Sequence, residues 1–124
     1  MSAPDRTPVD LDALRYDERG LIPVIAQDAD TGQVLMMAWA NREALERTLE
    51  ERRMVYWSRS RQELWRKGDT SGNVQHWQDL RVDCDADVVL ARIHQEGVAC
   101  HTGERSCFLR LLQEPHDEKA EHRR

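Results

Sequence analysis

Asp83-Cys84-Asp85-Ala86-Asp87 is the densest run of ligand-type side chains in the sequence. In an extended chain its three carboxylates would share one face and the Cys84 thiol would point to the other. Carboxylates so close repel one another unless water or a cation intervenes, and hard oxygen donors suit magnesium or calcium. An isolated run of this kind is better explained as a solvated acidic turn. Two further cysteines follow, Cys100 and Cys107, with six residues between them. Soft thiolates select zinc, and three protein ligands leave a fourth position for water, the pattern of a catalytic site. Against this, the spacing fits no short zinc-finger signature, and free cysteines ordinarily serve as small buried hydrophobes. Being three, they cannot all pair in intrachain disulfides. His101, next to Cys100, is placed to complete a tetrahedral site or to carry protons beside it. His76, His94, His116 and His122 have no such neighbours and read as ordinary surface or core histidines.

A third group of residues offers anion chemistry. Ser58-Arg59-Ser60-Arg61 alternates hydroxyls with guanidinium groups, and Lys67-Gly68 and Thr70-Ser71-Gly72-Asn73 follow. Such a run, with exposed backbone N–H groups around glycine, can cradle phosphate, although the order of a P-loop is absent. A solvated charged loop is the plainer explanation of these residues taken alone.

The elements that must position these residues are mostly strands. Residues 22–27 and 34–39 are strand-like runs joined by the turn-rich spacer Asp28-Ala29-Asp30-Thr31-Gly32, which predicts an antiparallel hairpin. Asn41 caps a predicted helix over residues 42–52, where Ala44, Leu45, Thr48 and Leu49 recur at helical spacing. Residues 54–58 are strand-like, 59–66 are polar and arginine-rich, and KGDTSGN is a loop. Strands are predicted over 74–82 and 88–94, flanking the aspartate run, with a final strand over 107–112. The expected fold class is α+β, mostly β: a small sheet-rich domain with one or two covering helices.

The sequence has 124 residues, 40% of them hydrophobic and 33% charged. That length suits one domain, and so polar a composition leaves a thin core unless a second subunit covers part of it. Residues 1–13 are expected to be a flexible segment, 14–113 the domain, and 114–124 a polar tail. The net charge of -5 speaks against a non-specific nucleic-acid binder. No run reaches the roughly 20 apolar residues of a membrane span, and the start, MSAPDRTPVD, has no signal-peptide pattern, so a cytoplasmic protein without membrane partners is expected.

Read in order, VLMMAW, SRSR, LWRKGDTSGN, DCDAD and ACHTGERSCF resemble the signature blocks of the phosphoribosyl-AMP cyclohydrolase family, over about residues 20 to 110. Asp69 stands where that family often has glutamate. No helical pyrophosphohydrolase sequence follows, so the resemblance is to the monofunctional form. It implies zinc on Cys84, Cys100 and Cys107, with Cys84 from one subunit and the other two from its partner in an intertwined homodimer. It also implies magnesium on Asp83, Asp85 and Asp87. The implied reaction is hydrolysis of the N1–C6 bond in the adenine ring of 1-(5-phosphoribosyl)-AMP. In it His101 moves protons, and Arg59, Arg61, Lys67 and Ser71 are candidate phosphate contacts. Three other readings compete: a structural zinc module that binds a protein or RNA through the arginine loop, a carboxylate-metal phosphoesterase, and a thiol redox protein, which the lack of a C-x-x-C pair disfavours.

Overall fold

Alternation of apolar and polar side chains builds the centre of the sheet. A computed structural model describes residues 8–114, so positions 1–7 and the tail from 115, with His116 and His122, lie outside the described residues. Ile22–Asp28 (β1) and Val34–Ala40 (β2) form the expected antiparallel hairpin, in register from Ile22 opposite Ala40 to Gln27 opposite Val34, with a bulge after Ala26. Along β1 every second side chain is buried: Ile22, Val24, Ala26 and, at the end, Asp28. The Asp28 carboxylate shapes the turn by accepting the N–H groups of Asp30 and Thr31 at 2.8 and 3.1 Å.

Asn41 begins the helix Arg42–Glu51 (α1) by accepting the Ala44 N–H at 2.8 Å, and Arg52, at φ 59°, ends it in the left-handed region. Ala44, Leu45 and Thr48 are its buried face. Thr48 does more than pack. Its hydroxyl donates to the Ala44 carbonyl and accepts the Val55 N–H at 3.0 Å, so the helix is stitched to Val55–Ser58 (β3).

Glu63–Arg66 (β4), Gln75–Val82 (β5) and Val89–Gln95 (β6) complete a six-stranded sheet in the order β4-β3-β2-β1-β6-β5. Only the β1–β6 pairing is parallel; the rest are antiparallel. The domain is thus α+β and mostly β, as the sequence indicates, with one α-helix and a 3₁₀ turn at Leu11–Ala13. That turn packs Leu11 against the core.

Two expectations need correction. Residues 107–112 form no strand: beyond the single bond of the Cys107 N–H to the Leu35 carbonyl, their apolar run pairs with no strand among the described residues, and Phe108, Leu109, Leu111 and Leu112 are 54 to 100% exposed. Conversely, β4 is a strand hidden in polar sequence. It is an edge strand, with charged Glu63 and Arg66 at its two ends, as such a position favours, while Trp65 packs its ring 5.1 Å from that of Tyr56.

Tyr56 itself is fully buried and donates to Gln75 Oε1 at 2.6 Å, tying β3 to β5 across the core. Tyr56→Phe would leave that oxygen buried without this donor, which costs about 1–3 kcal/mol. The expected result is a lower urea midpoint at unchanged slope. An unchanged midpoint would show that Gln75 finds another partner.

Candidate functional site

The aspartate run is a turn, and this changes how its carboxylates meet. Val82 pairs with Val89, and residues 83–88 reverse the chain between β5 and β6. Asp83 Oδ1 accepts the N–H groups of Asp87 and Val88 at 3.0 and 3.1 Å, and Ala86 takes φ 63°. The extended geometry predicted for this run is therefore absent. The carboxylates of Asp83, Asp85 and Asp87 still converge, with one oxygen of each within 4.8 Å of the others. Crowding by Asp85, and then by Asp83, pushes Asp87 up to about 6. That electrostatic penalty is relieved by a cation, so the donor set fits a hard divalent ion. Cys84 is exposed on the same turn.

Cys100 and Cys107 lie on a second loop, which is a small hairpin of its own. The Ala99 and Cys100 N–H groups donate to the carbonyls of Arg105 and Glu104, each at 3.0 Å, and Gly103 closes the tip at φ 93°. The hairpin hangs from β2: the buried Ser106 hydroxyl donates to the Val34 carbonyl at 2.8 Å, and the Cys107 N–H to that of Leu35 at 2.7 Å. At its base Gly97, with φ 69°, lies against Asn73; a Cβ there would fall 2.2 Å from Asn73 Oδ1.

The two thiols are close enough to perturb each other's ionisation. The Thr102 hydroxyl, 3.0 Å away, holds Cys100 below the ordinary thiol value, whereas burial and then the neighbouring Cys100 push Cys107 up. Adjacent thiols are soft donors of the kind that zinc takes. His101 is exposed at the tip of this hairpin. Among the described residues of one chain, Cys84 does not join Cys100 and Cys107 in a cluster that could hold one ion.

The basic residues divide. Arg59 lies over the Trp39 ring at 4.9 Å, Arg61 pairs with Glu63 at 3.3 Å, and the Ser71 hydroxyl accepts the Asn73 N–H in an exposed turn. Lys67 turns away from them and donates to the Ala99 carbonyl at 2.8 Å, one residue before Cys100. Sequence reasoning missed two further participants, Asp28 and Arg105. Arg105 stands inside the motif ACHTGERSCF, but nothing in the spacing indicates that its partner is a turn residue 77 positions earlier.

Thiols on one loop, carboxylates on another and guanidinium groups on a third are side chains of the kinds that functional sites draw from loops. Comparison with known proteins defines the reaction class. Residues 36–109 match the family model described as phosphoribosyl-AMP cyclohydrolase. The chain is 63% identical over 101 residues to the phosphoribosyl-AMP cyclohydrolase of Bordetella petrii, covering 81% of this chain and 75% of that protein. It is 59% identical over 101 residues to that of Rhodospirillum centenum, covering 82% and 76%. A histidine biosynthesis bifunctional protein of Thermus thermophilus is 58% identical over 106 residues, which is 86% of this chain and 50% of the relative. The chain belongs to the phosphoribosyl-AMP cyclohydrolase family, hydrolases of histidine biosynthesis.

Proposed function

We propose that the protein hydrolyses the N1–C6 bond of 1-(5-phosphoribosyl)-AMP with zinc on three cysteines, Cys84 from one subunit and Cys100 and Cys107 from its partner in a homodimer. The observation that carries this reading is the placement of the thiols: two stand together on the hairpin, and Cys84 faces solvent on another turn. The exposed apolar side chains of Phe108, Leu109, Leu111 and Leu112 support a subunit partner, because they follow Cys107 directly and are left more than half exposed by the described residues. Magnesium on Asp83, Asp85 and Asp87 is the matching reading of the carboxylate turn.

Zinc on three thiolates would supply a nucleophile by lowering the pKa of a bound water from about 15.7 toward about 7. The chain's own residues then manage the protons and the charge. In the balanced reaction the water oxygen bonds to C6 and the C6–N1 bond breaks; one water proton ends on N1 and the other on the exocyclic imino nitrogen. C6 becomes a carboxamide, and N1 stays in the formimino group. His101 takes the proton from the water side and returns it at N1. Arg59, Arg61 and Ser71 face the two phosphates, the arginines with forked donors suited to them. Three reduced thiols are what this site needs, which fits work in the cytoplasm.

Ring opening of 1-(5-phosphoribosyl)-AMP, followed by absorbance, tests the zinc reading directly. Activity is expected to vanish when a chelator removes zinc and to return with zinc but not with magnesium alone. Full activity in zinc-free protein would reject the thiolate site. Replacing both Arg59 and Arg61 by Ala is expected to raise KM at least about tenfold, since a hydrogen bond to a charged group contributes roughly 1.5–3 kcal/mol. Steady-state kinetics with KM unchanged would remove those two arginines from the phosphate site.

A further inference from the structure

The cysteine hairpin is attached to β2 at its Cys107 end by the Cys107 N–H and the Ser106 hydroxyl, and at its base the Val98 N–H donates to Asn73 Oδ1 at 3.5 Å and Gln95 Nε2 to the Val98 carbonyl at 3.4 Å. Two cationic side chains add ties nearer the thiols, one from either side. Lys67 follows β4, with its N–H bonded to the Met54 carbonyl at 3.0 Å, and is held rigidly by Gly68. At Gly68 a Cβ would fall 2.5 Å from the Val74 nitrogen, so the chain there has no slack. From this fixed base the ammonium donates to the Ala99 carbonyl at 2.8 Å, beside the Trp65 ring at 5.8 Å. On the far side Arg105 spans the hairpin. One guanidinium nitrogen donates to the Gly97 carbonyl at 3.1 Å, and another meets the buried carboxylate of Asp28 at 2.5 Å. Asp28 is itself fixed by two backbone N–H groups at the end of β1. Each cation thus connects a rigid strand end to the loop, one next to Cys100 and the other two residues before Cys107.

We propose that Lys67 and Arg105 are positioning residues, a two-point clamp that presets the Cys100 and Cys107 thiols for a metal ion, and that Lys67 serves this loop and not a substrate phosphate. The inference rests on the zinc reading above. A loop ordered before the metal arrives loses little conformational freedom on binding, so ligand geometry and affinity are both gained from the clamp. Residues that orient metal ligands in this way typically change metal affinity about 10–100-fold when removed. Lys67 adds a positive charge beside thiolates that would otherwise leave the site anionic.

The metal-free, full-length protein titrated with cobalt(II) provides the test, with thiolate-to-cobalt charge-transfer absorption as the readout and thermal melting as a check on folding. Lys67→Met and Arg105→Gln are each expected to weaken cobalt binding about 10–100-fold and to alter the absorption. Lys67→Arg and Arg105→Lys, which keep a cation and are less disturbing to the fold, should recover part of the loss. Cobalt affinity equal to wild type in all four folded variants would overturn the clamp. A rise in KM for Lys67→Met with unchanged cobalt affinity would also overturn it and return Lys67 to the phosphates. If the wild-type protein itself showed no thiolate–cobalt absorption, the zinc reading would fall, and the clamp with it.

Discussion

A one-to-one mixture of Cys84→Ser and Cys107→Ser proteins, unfolded together and refolded with zinc, is expected to regain about a quarter of wild-type turnover, though each parent alone is inactive. Random pairing makes half of the dimers mixed. In each mixed dimer one site combines both defects, while the other draws Cys84 from the Cys107→Ser chain and Cys100 and Cys107 from the Cys84→Ser chain, and is intact. Half of the dimers with half of their sites gives the quarter. The expectation follows from the separation of Cys84 from the thiol pair within one chain. Mixed dimers isolated with two different affinity tags and found inactive would show that the three cysteines do not meet across subunits. Single-cysteine variants that keep both zinc and turnover would reject thiolate ligation altogether.

His101→Ala is expected to lower kcat by about 10²–10⁴-fold while zinc content and melting temperature hold. The hairpin explains why the effect should be so clean. His101 is exposed at the tip, and the loop's hydrogen bonds run through the backbone of Ala99, Cys100, Gly103 and Cys107 and the side chains of Lys67, Arg105 and Ser106. Removal of the imidazole therefore leaves the thiols where they are. A variant that turns over normally would end the proton-transfer role. One that loses its zinc would make His101 a ligand.

Much of this architecture is legible in the residues. The strands β1, β2, β5 and β6 have alternation or short apolar runs bounded by turn residues, and the Asn41 cap with Ala44, Leu45 and Thr48 marks α1 within a residue of its end. What escapes is whatever depends on a neighbour distant in sequence. Four residues of β4 are too few and too polar to show a period, and only pairing with β3 makes them a strand. Residues 107–112 are apolar enough to read as one, yet β-structure needs a partner edge, and the described residues offer none past Cys107. At the aspartate run the convergence of carboxylates was readable from the residue types, whereas the turn that produces it depends on Ala86 adopting a left-handed conformation usually left to glycine or asparagine. Lys67 reads as a phosphate contact because it precedes a glycine-containing loop; its bond to Ala99, 32 positions away, is invisible in one dimension.

The sheet curls until Arg53 bridges His76 and the Met54 N–H donates to the Gln75 carbonyl at 3.0 Å, yet β4 and the rest of β5 remain as borders that bear on how the protein behaves when concentrated. An unpaired strand is a template on which other chains can stack into fibrils. At one border only four residues are available, and Glu63 and Arg66 flank them. At the other, β5 is twice as long, but a bulge between Trp77 and Asp79 breaks its hydrogen-bonding rhythm, and Asp79 and Arg81 place an ion pair on it. Shortness at one side, and irregularity and charge at the other, are features that work against such stacking.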